Sequence, residues 1–333
     1  MTSIYRTILR QALKIMWSCK YLWFFGIFAI FLSSGGEINS AIDNFYKVFD
    51  ASSFLDGLKT FYNHSAVVNA GNNLNTFFGG FNGWGIILLV VLVLLFFFLI
   101  WLTVVSQAGL FGAAYKIYKK QNVNFSDTFA MGRRSFWPAV WLNVLSRLII
   151  YALWLIVAVP LVALYLSRPV ETVGNIFIVL TFIIWVPVAL FISFLMKYAV
   201  LFVVNKKYAF KEAVQAAWQL FRENWLVSIE MAIIMFFVNL LAAIALVLAV
   251  MALVLPLAIL VFLLGMINFA GVMYLTMLVA VILLVLLMIW GGAMLSVFQH
   301  VAWTILFVRM TEGKVLAKIV RLIARRSLPV GEV

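Results

Sequence analysis

Charge is the scarcest property of this chain. Only 11% of its 333 residues are Asp, Glu, Lys or Arg, less than half the roughly 25% of soluble globular domains. Apolar residues make up 66%. A water-soluble fold cannot hide that much apolar surface, so composition excludes a soluble enzyme and a disordered polar tail, and places the chain in a bilayer. With one cysteine, Cys19, there is neither a disulfide framework nor a Cys-based metal site. The two histidines, His64 and His300, are far apart in the chain and would need carboxylates from elsewhere to complete a metal shell. The zinc pattern H-E-x-x-H, the nucleophile elbow G-x-S-x-G and the P-loop are all missing. No cofactor and no catalytic residue are expected.

The charge that is present is mostly positive, with a formal net value of +13. It lies in short clusters between apolar runs, the pattern by which a membrane protein records its orientation, and so does not call for nucleic acid. Runs of about 20 apolar residues cross a hydrocarbon core roughly 30 Å thick. Such runs cover residues 21–34, which is short, then 85–107, 148–166 and 175–196. Beyond Asn224 the stretch from Trp225 to Gln299 carries one charge, Glu230.

That stretch reads as two long helices, as two with a re-entrant piece, or as three. A six-span arrangement puts all of the 24 basic residues except Lys47, Lys59 and Arg168 on the cytoplasmic side with both termini. A seventh span would export the basic tail, so six spans are expected. The surplus length near Pro256 then forms a kinked helix end or a re-entrant piece buried by protein. Residues 35–84 form a long loop on the opposite side, with a formal glycosylation triplet at Asn63-His64-Ser65.

Amphipathic segments recur before the spans. Phe210, Ala213, Val214, Ala217 and Phe221 make an apolar stripe, with Lys211, Gln215, Gln219 and Arg222 opposite. Near the N-terminus Tyr5, Ile8, Leu9, Ala12 and Met16 oppose Arg6, Arg10 and Lys14. After the last span Val315, Leu316, Ile319, Val320 and Ile323 oppose Lys314, Lys318, Arg321 and Arg325. A shorter segment opens at Asn124-Phe125-Ser126-Asp127, which has the look of a helix N-cap. Interfacial helices are therefore expected over 3–18, 125–136, 209–224 and 312–327. Tryptophans follow the first three of them: Trp17 and Trp23, Trp137 and Trp141, Trp218 and Trp225. The expected fold is all-α: a single integral membrane domain over 1–333, with six transmembrane helices in three pseudo-repeated hairpins.

The segment Phe210-Lys211-Glu212-Ala213, running through Trp218 to Asn224-Trp225, together with Lys20-Tyr21-Leu22-Trp23-Phe24-Phe25-Gly26 and Gly35-Gly36-Glu37, resembles a bacterial pattern. It is similar to the membrane domain attached to some glycerophosphodiester phosphodiesterases and to related six-helix inner-membrane proteins. The resemblance implies a multi-pass protein of the bacterial inner membrane. The phosphodiesterase activity of that family belongs to a separate soluble barrel for which this chain has no room, so the resemblance supplies no catalytic residue.

Polar residues inside a membrane are costly and are functional candidates by default. Arg147, Lys197, Glu230, Asn239 and His300 form the candidate cluster, with Glu230 facing Arg147 or Lys197 if the hairpins pack as a bundle. Gln107, Ser296 and Thr276 join Asn239 as candidates for hydrogen bonds between helices. No span has an acidic residue at its centre, which argues against an ion-driven transporter. The basic residues Arg6, Arg10, Lys14, Lys314, Lys318, Arg321 and Arg325 are candidate contacts for anionic lipid headgroups. The expected function is a scaffold or envelope-maintenance protein docking anionic lipid or a membrane-protein partner. The alternative is a small-solute permease or channel with a polar path past Glu230 and Asn239.

Overall fold

The computed structural model describes residues 4–30, 83–167, 171–267 and 270–313. Among them the chain is all-helical: α1 (Ile4–Ser18), α2 (Leu22–Ala29), α3 (Gly83–Tyr118), α4 (Phe125–Arg134), α5 (Phe136–Ser167), α6 (Glu171–Lys206), α7 (Phe210–Met266) and α8 (Ala270–Thr311). Five of these helices are long and apolar enough to cross a membrane, which marks a multi-pass membrane protein. The long loop with its glycosylation triplet, the end of the first span, Arg168, and the basic tail with Lys314, Lys318, Arg321 and Arg325 lie outside the described residues.

The stretch from Trp225 to Gln299 forms two long helices, not three. Pro256 lies inside α7, yet the backbone leaves helical geometry only at Asn224 (φ −128°, ψ 29°). The break expected near Pro256 therefore falls at Asn224. Proline removes a single N–H, and an apolar surrounding offers the freed carbonyl no water to favour unwinding. At Asn224 the break is stabilised locally. Its amide donates to the Leu220 carbonyl at 3.2 Å, while Ser228 Oγ donates to the Asn224 carbonyl at 3.1 Å.

These helices are longer than a bilayer requires. α8 holds 42 residues, about 63 Å at 1.5 Å per residue, against a hydrocarbon core of roughly 30 Å. Burial along it changes abruptly. The apolar side chains from Val272 to Trp290 are largely exposed, whereas most residues from Ala293 to Met310 are buried. The same change occurs along α3, where Ile87–Ile100 face outward and Leu102–Ala114 are buried. Small polar residues concentrate in the buried lengths, among them Thr103, Ser106, Gln107, Ser193, Ser296, His300 and Thr304.

The amphipathic helices explain that burial. α1 buries Tyr5, Ile8, Ala12 and Met16 and packs against α8, as does α2. The α7 segment before Asn224 buries Ala213, Ala217 and Leu220 while Lys211, Gln215, Gln219 and Arg222 stay exposed. α4 begins where Asn124 predicts, with the Asn124 N–H donating to Asp127 Oδ2 at 3.1 Å. In the equivalent place before α7, the Ala209 N–H donates to Glu212 Oε2 at 3.2 Å. The carboxylate three residues into each helix thus takes up a backbone N–H at its start. α4 lies directly on α3. A Cβ on Gly132 would stand 2.1 Å from the Val105 carbonyl oxygen, and one on Gly109 would stand 2.8 Å from that of Thr128.

Three helices that carry buried lengths end alike. Lys120 (φ 61°) follows α3, Lys207 (φ 57°) follows α6 and Gly313 (φ 67°) follows α8, all in left-handed backbone geometry. After α3 the Lys120 N–H reaches the Ile117 carbonyl at 2.9 Å and the Gln121 N–H reaches that of Lys116 at 3.0 Å, a Schellman stop. Glycine is the usual residue there, because a left-handed conformation costs an L-residue roughly 1–2 kcal/mol.

The chain divides into two compact units. The first draws on Met1–Ser33, Thr103–Ser146 and Ser193–Val333, and the second on Ser34–Leu102 and Arg147–Ile192. The first holds the amphipathic helices, the α7–α8 hairpin and the buried lengths of α3 and α6. In the second the described apolar side chains are mostly exposed, as Phe96 and Phe97 are.

Candidate functional site

In the first unit, among the described residues, three pairs of polar side chains that would be costly in an apolar interior join neighbouring helices. Asn239 and Gln299 join α7 to α8, with Gln299 Nε2 donating to Asn239 Oδ1 at 2.6 Å. Gln107 and Asn143 join α3 to α5, with Asn143 Nδ2 donating to Gln107 Oε1 at 2.9 Å. Tyr198 and Ser228 join α6 to α7 through a buried 2.8 Å hydroxyl pair. Of the four residues expected to bond between helices, Asn239 and Gln107 do so. Thr276 donates to the Val272 carbonyl of its own helix at 2.8 Å. Ser296 likewise stays on α8, where its carbonyl accepts from His300 Nδ1 at 2.7 Å. In that arrangement the proton is on Nδ1, and the ring rests against Phe111 at 4.7 Å between centroids.

Two charged members of the candidate cluster have partners that spacing along the chain did not indicate. Glu230 accepts a hydrogen bond from the Tyr5 hydroxyl, which ties the start of α1 to α7. Lys197 places Nζ 5.0 Å from the Trp303 ring centroid and 5.6 Å from that of Phe194, an aromatic seat for a cation. Arg147 belongs to the second unit and is exposed. Tyr5, Asn143, Gln299 and Trp303 are the partners that the sequence reading missed. Asn143 and Gln299 carry a usable signal, being amides within apolar runs, whereas Tyr5 reads as part of the α1 apolar stripe and Trp303 as one more aromatic in an apolar helix.

No protein family, curated protein or solved structure matches the chain.

The basic faces form the other half of the site. On α1 the side chains of Arg6, Arg10 and Lys14 are exposed, and so is Trp17. Arg133 and Arg134 are exposed on α4, with Trp137 and Trp141 exposed just beyond. The apolar stripe of α1 and the centre of that of the first α7 segment (Ala213 and Ala217, with Phe210 at its start still exposed) are taken up by protein, so these helices meet their surroundings largely through cationic faces edged with tryptophan. Near the end of α8, Arg309 is engaged internally, reaching the Tyr118 hydroxyl at 3.3 Å and Gln11 Oε1 at 3.1 Å. Lys119 pairs with Glu312 at 3.1 Å, and that carboxylate holds the ammonium above its ordinary pKa.

Proposed function

We propose that this chain is a non-enzymatic scaffold of the bacterial inner membrane that docks anionic headgroups, or an acidic face of a membrane partner, through its basic helix faces. The observation that carries this reading is the division of labour on α1. Its apolar stripe packs into the protein while Arg6, Arg10 and Lys14 stay exposed. A helix that adsorbs to lipid by apolar area would keep its stripe free; one that docks by charge needs only its basic face and the tryptophans at its edge. On this reading the chain has six spans with both termini cytoplasmic, built as three units of amphipathic helix plus hairpin. The shared carboxylate caps before α4 and α7 and the shared left-handed stops after α3, α6 and α8 support that three-part plan.

The pairing of Asn239 with Gln299 and of Glu230 with Tyr5 favours a packed interior over a permease path through the same residues. Ser106 and Ser193 favour the second reading, since their hydroxyls are buried without a partner. The docking reading is tested by offering the detergent-purified protein an equal mixture of phosphatidylglycerol and phosphatidylcholine and weighing the retained lipids by native mass spectrometry. Preferential retention of phosphatidylglycerol is expected. Equal retention would contradict the reading.

A further inference from the structure

Within the first unit, the end of α3, the α4–α5 junction and the residues closing α6 line an open pocket of about 410 Å³, within the roughly 300–1,000 Å³ range of small-ligand sites. Its lining includes Lys116, Arg134 and Lys207, with Gln121, Ser135 and Asn205 between them, and no Asp or Glu. Among the described residues none of those three cations is engaged in an ion pair. Three like charges facing one cavity repel one another, and an acidic neighbour would relieve the repulsion, yet the wall supplies none.

Two further features point the same way. Asn205 carries a side-chain amide nitrogen that is buried and has no hydrogen-bond partner. An unsatisfied buried donor costs roughly 1–3 kcal/mol and needs an explanation in a native fold. Lys207 reaches the cavity from left-handed backbone (φ 57°), where glycine would be free of strain. The lysine sits at the left-handed stop that ends α6, so its charge is held at the rim by backbone geometry.

We propose that this cavity binds a phosphate-bearing anion. A guanidinium matches two phosphate oxygens in a fork. The lysines supply point charge, and the Asn205 amide and Ser135 hydroxyl supply neutral donors. The same chemistry suits a free phosphate, a soluble phosphomonoester or a phospholipid headgroup. This site is separate from the exposed face of α1, so loss of a lipid preference there leaves the cavity proposal standing.

The test is calorimetric titration of the full chain in detergent with inorganic phosphate. Phosphate should bind, and Arg134→Gln and Lys207→Gly should each weaken it at least tenfold. Lys207→Gly also relieves the backbone, which separates lost binding from lost folding. Lys120→Gly relieves the same geometry after α3 and removes a lysine that does not line the cavity, so it should bind as the parent does. Tighter binding of glycerol 3-phosphate than of inorganic phosphate would assign the site to a soluble phosphomonoester. Displacement of phosphate by phosphatidylglycerol bicelles, but not by phosphatidylcholine bicelles, would assign it to a headgroup. With neither effect, the ligand is phosphate itself. Absence of phosphate binding, or equal affinity in parent, Arg134→Gln and Lys207→Gly, overturns the proposal.

Discussion

Replacing Gly132 with leucine is expected to destabilise the protein by about 3 kcal/mol or more, at or beyond the upper end of ordinary overpacking. The reason is specific to the crossing of α4 on α3. A Cβ at Gly132 would stand 2.1 Å from the Val105 carbonyl oxygen and 2.9 Å from Val105 Cγ1. The first obstacle is backbone and cannot rotate away, so the helices must separate. Val104 and Ala108, which pack on Ala139 of α5 beside that crossing, would separate with them. Thermal unfolding of the detergent-purified protein measures the loss. Gly271→Ala is the matched control, because nothing lies within 4 Å of its added Cβ, and helix propensity favours alanine there by up to about 1 kcal/mol. If Gly132→Leu unfolded at the parent temperature, α4 would not lie on α3 as described.

Neutralising Arg6, Arg10 and Lys14 together with glutamine is expected to cut the preference for phosphatidylglycerol by roughly a hundredfold at low salt. Each basic side chain near an anionic surface contributes about 1 kcal/mol, and about 3 kcal/mol corresponds to some two decades of binding. All three side chains are exposed on the face opposite the buried stripe, so the substitutions leave the apolar packing of α1 unaltered. Unfolding temperature checks that point. The preference of the parent should also fall as salt is raised, because exposed charges are screened within about 10 Å at 0.1 M. A triple variant with unchanged lipid preference at low salt would remove α1 from the docking surface.

Much of the architecture was legible because its signals are periodic or local. The stripe Tyr5, Ile8, Ala12 and Met16 has helical spacing, and the structure buries those four residues. Asn124 with Asp127 marked a helix start by cap chemistry alone. The motif ending in Asn224-Trp225 was visible as a pattern, and its physical meaning emerged with the structure: Asn224 is where α7 breaks, and its own side chain satisfies the Leu220 carbonyl.

What the stripes pack against was not legible, because periodicity shows that a face is apolar and is silent on whether lipid or protein covers it. For the same reason the helices run on past the apolar runs. Gln107 and Gln299 close the apolar runs of the sequence, and the helices continue beyond them, α3 to Tyr118 and α8 to Thr311. Long-range pairs such as Glu230 with Tyr5 depend on helix crossings that no window of sequence contains.

The central claim is that polar groups in the buried lengths of α3 and α8 are packed by protein and hold no water path. Single cysteines at Gln107, Ser296 and Thr304, with one at exposed Ser18 as a reference, test it most directly in a Cys19→Ser background. The native Cys19 is replaced because it is a free thiol; burial raises its pKa and slows its reaction, which would blur the comparison. A membrane-impermeant maleimide, applied in turn to each face of reconstituted vesicles, should label Ser18→Cys and leave the other three unmodified. Labelling at Gln107, Ser296 and Thr304 would reveal a water-filled path, contradict the packed interior and establish the permease reading in its place.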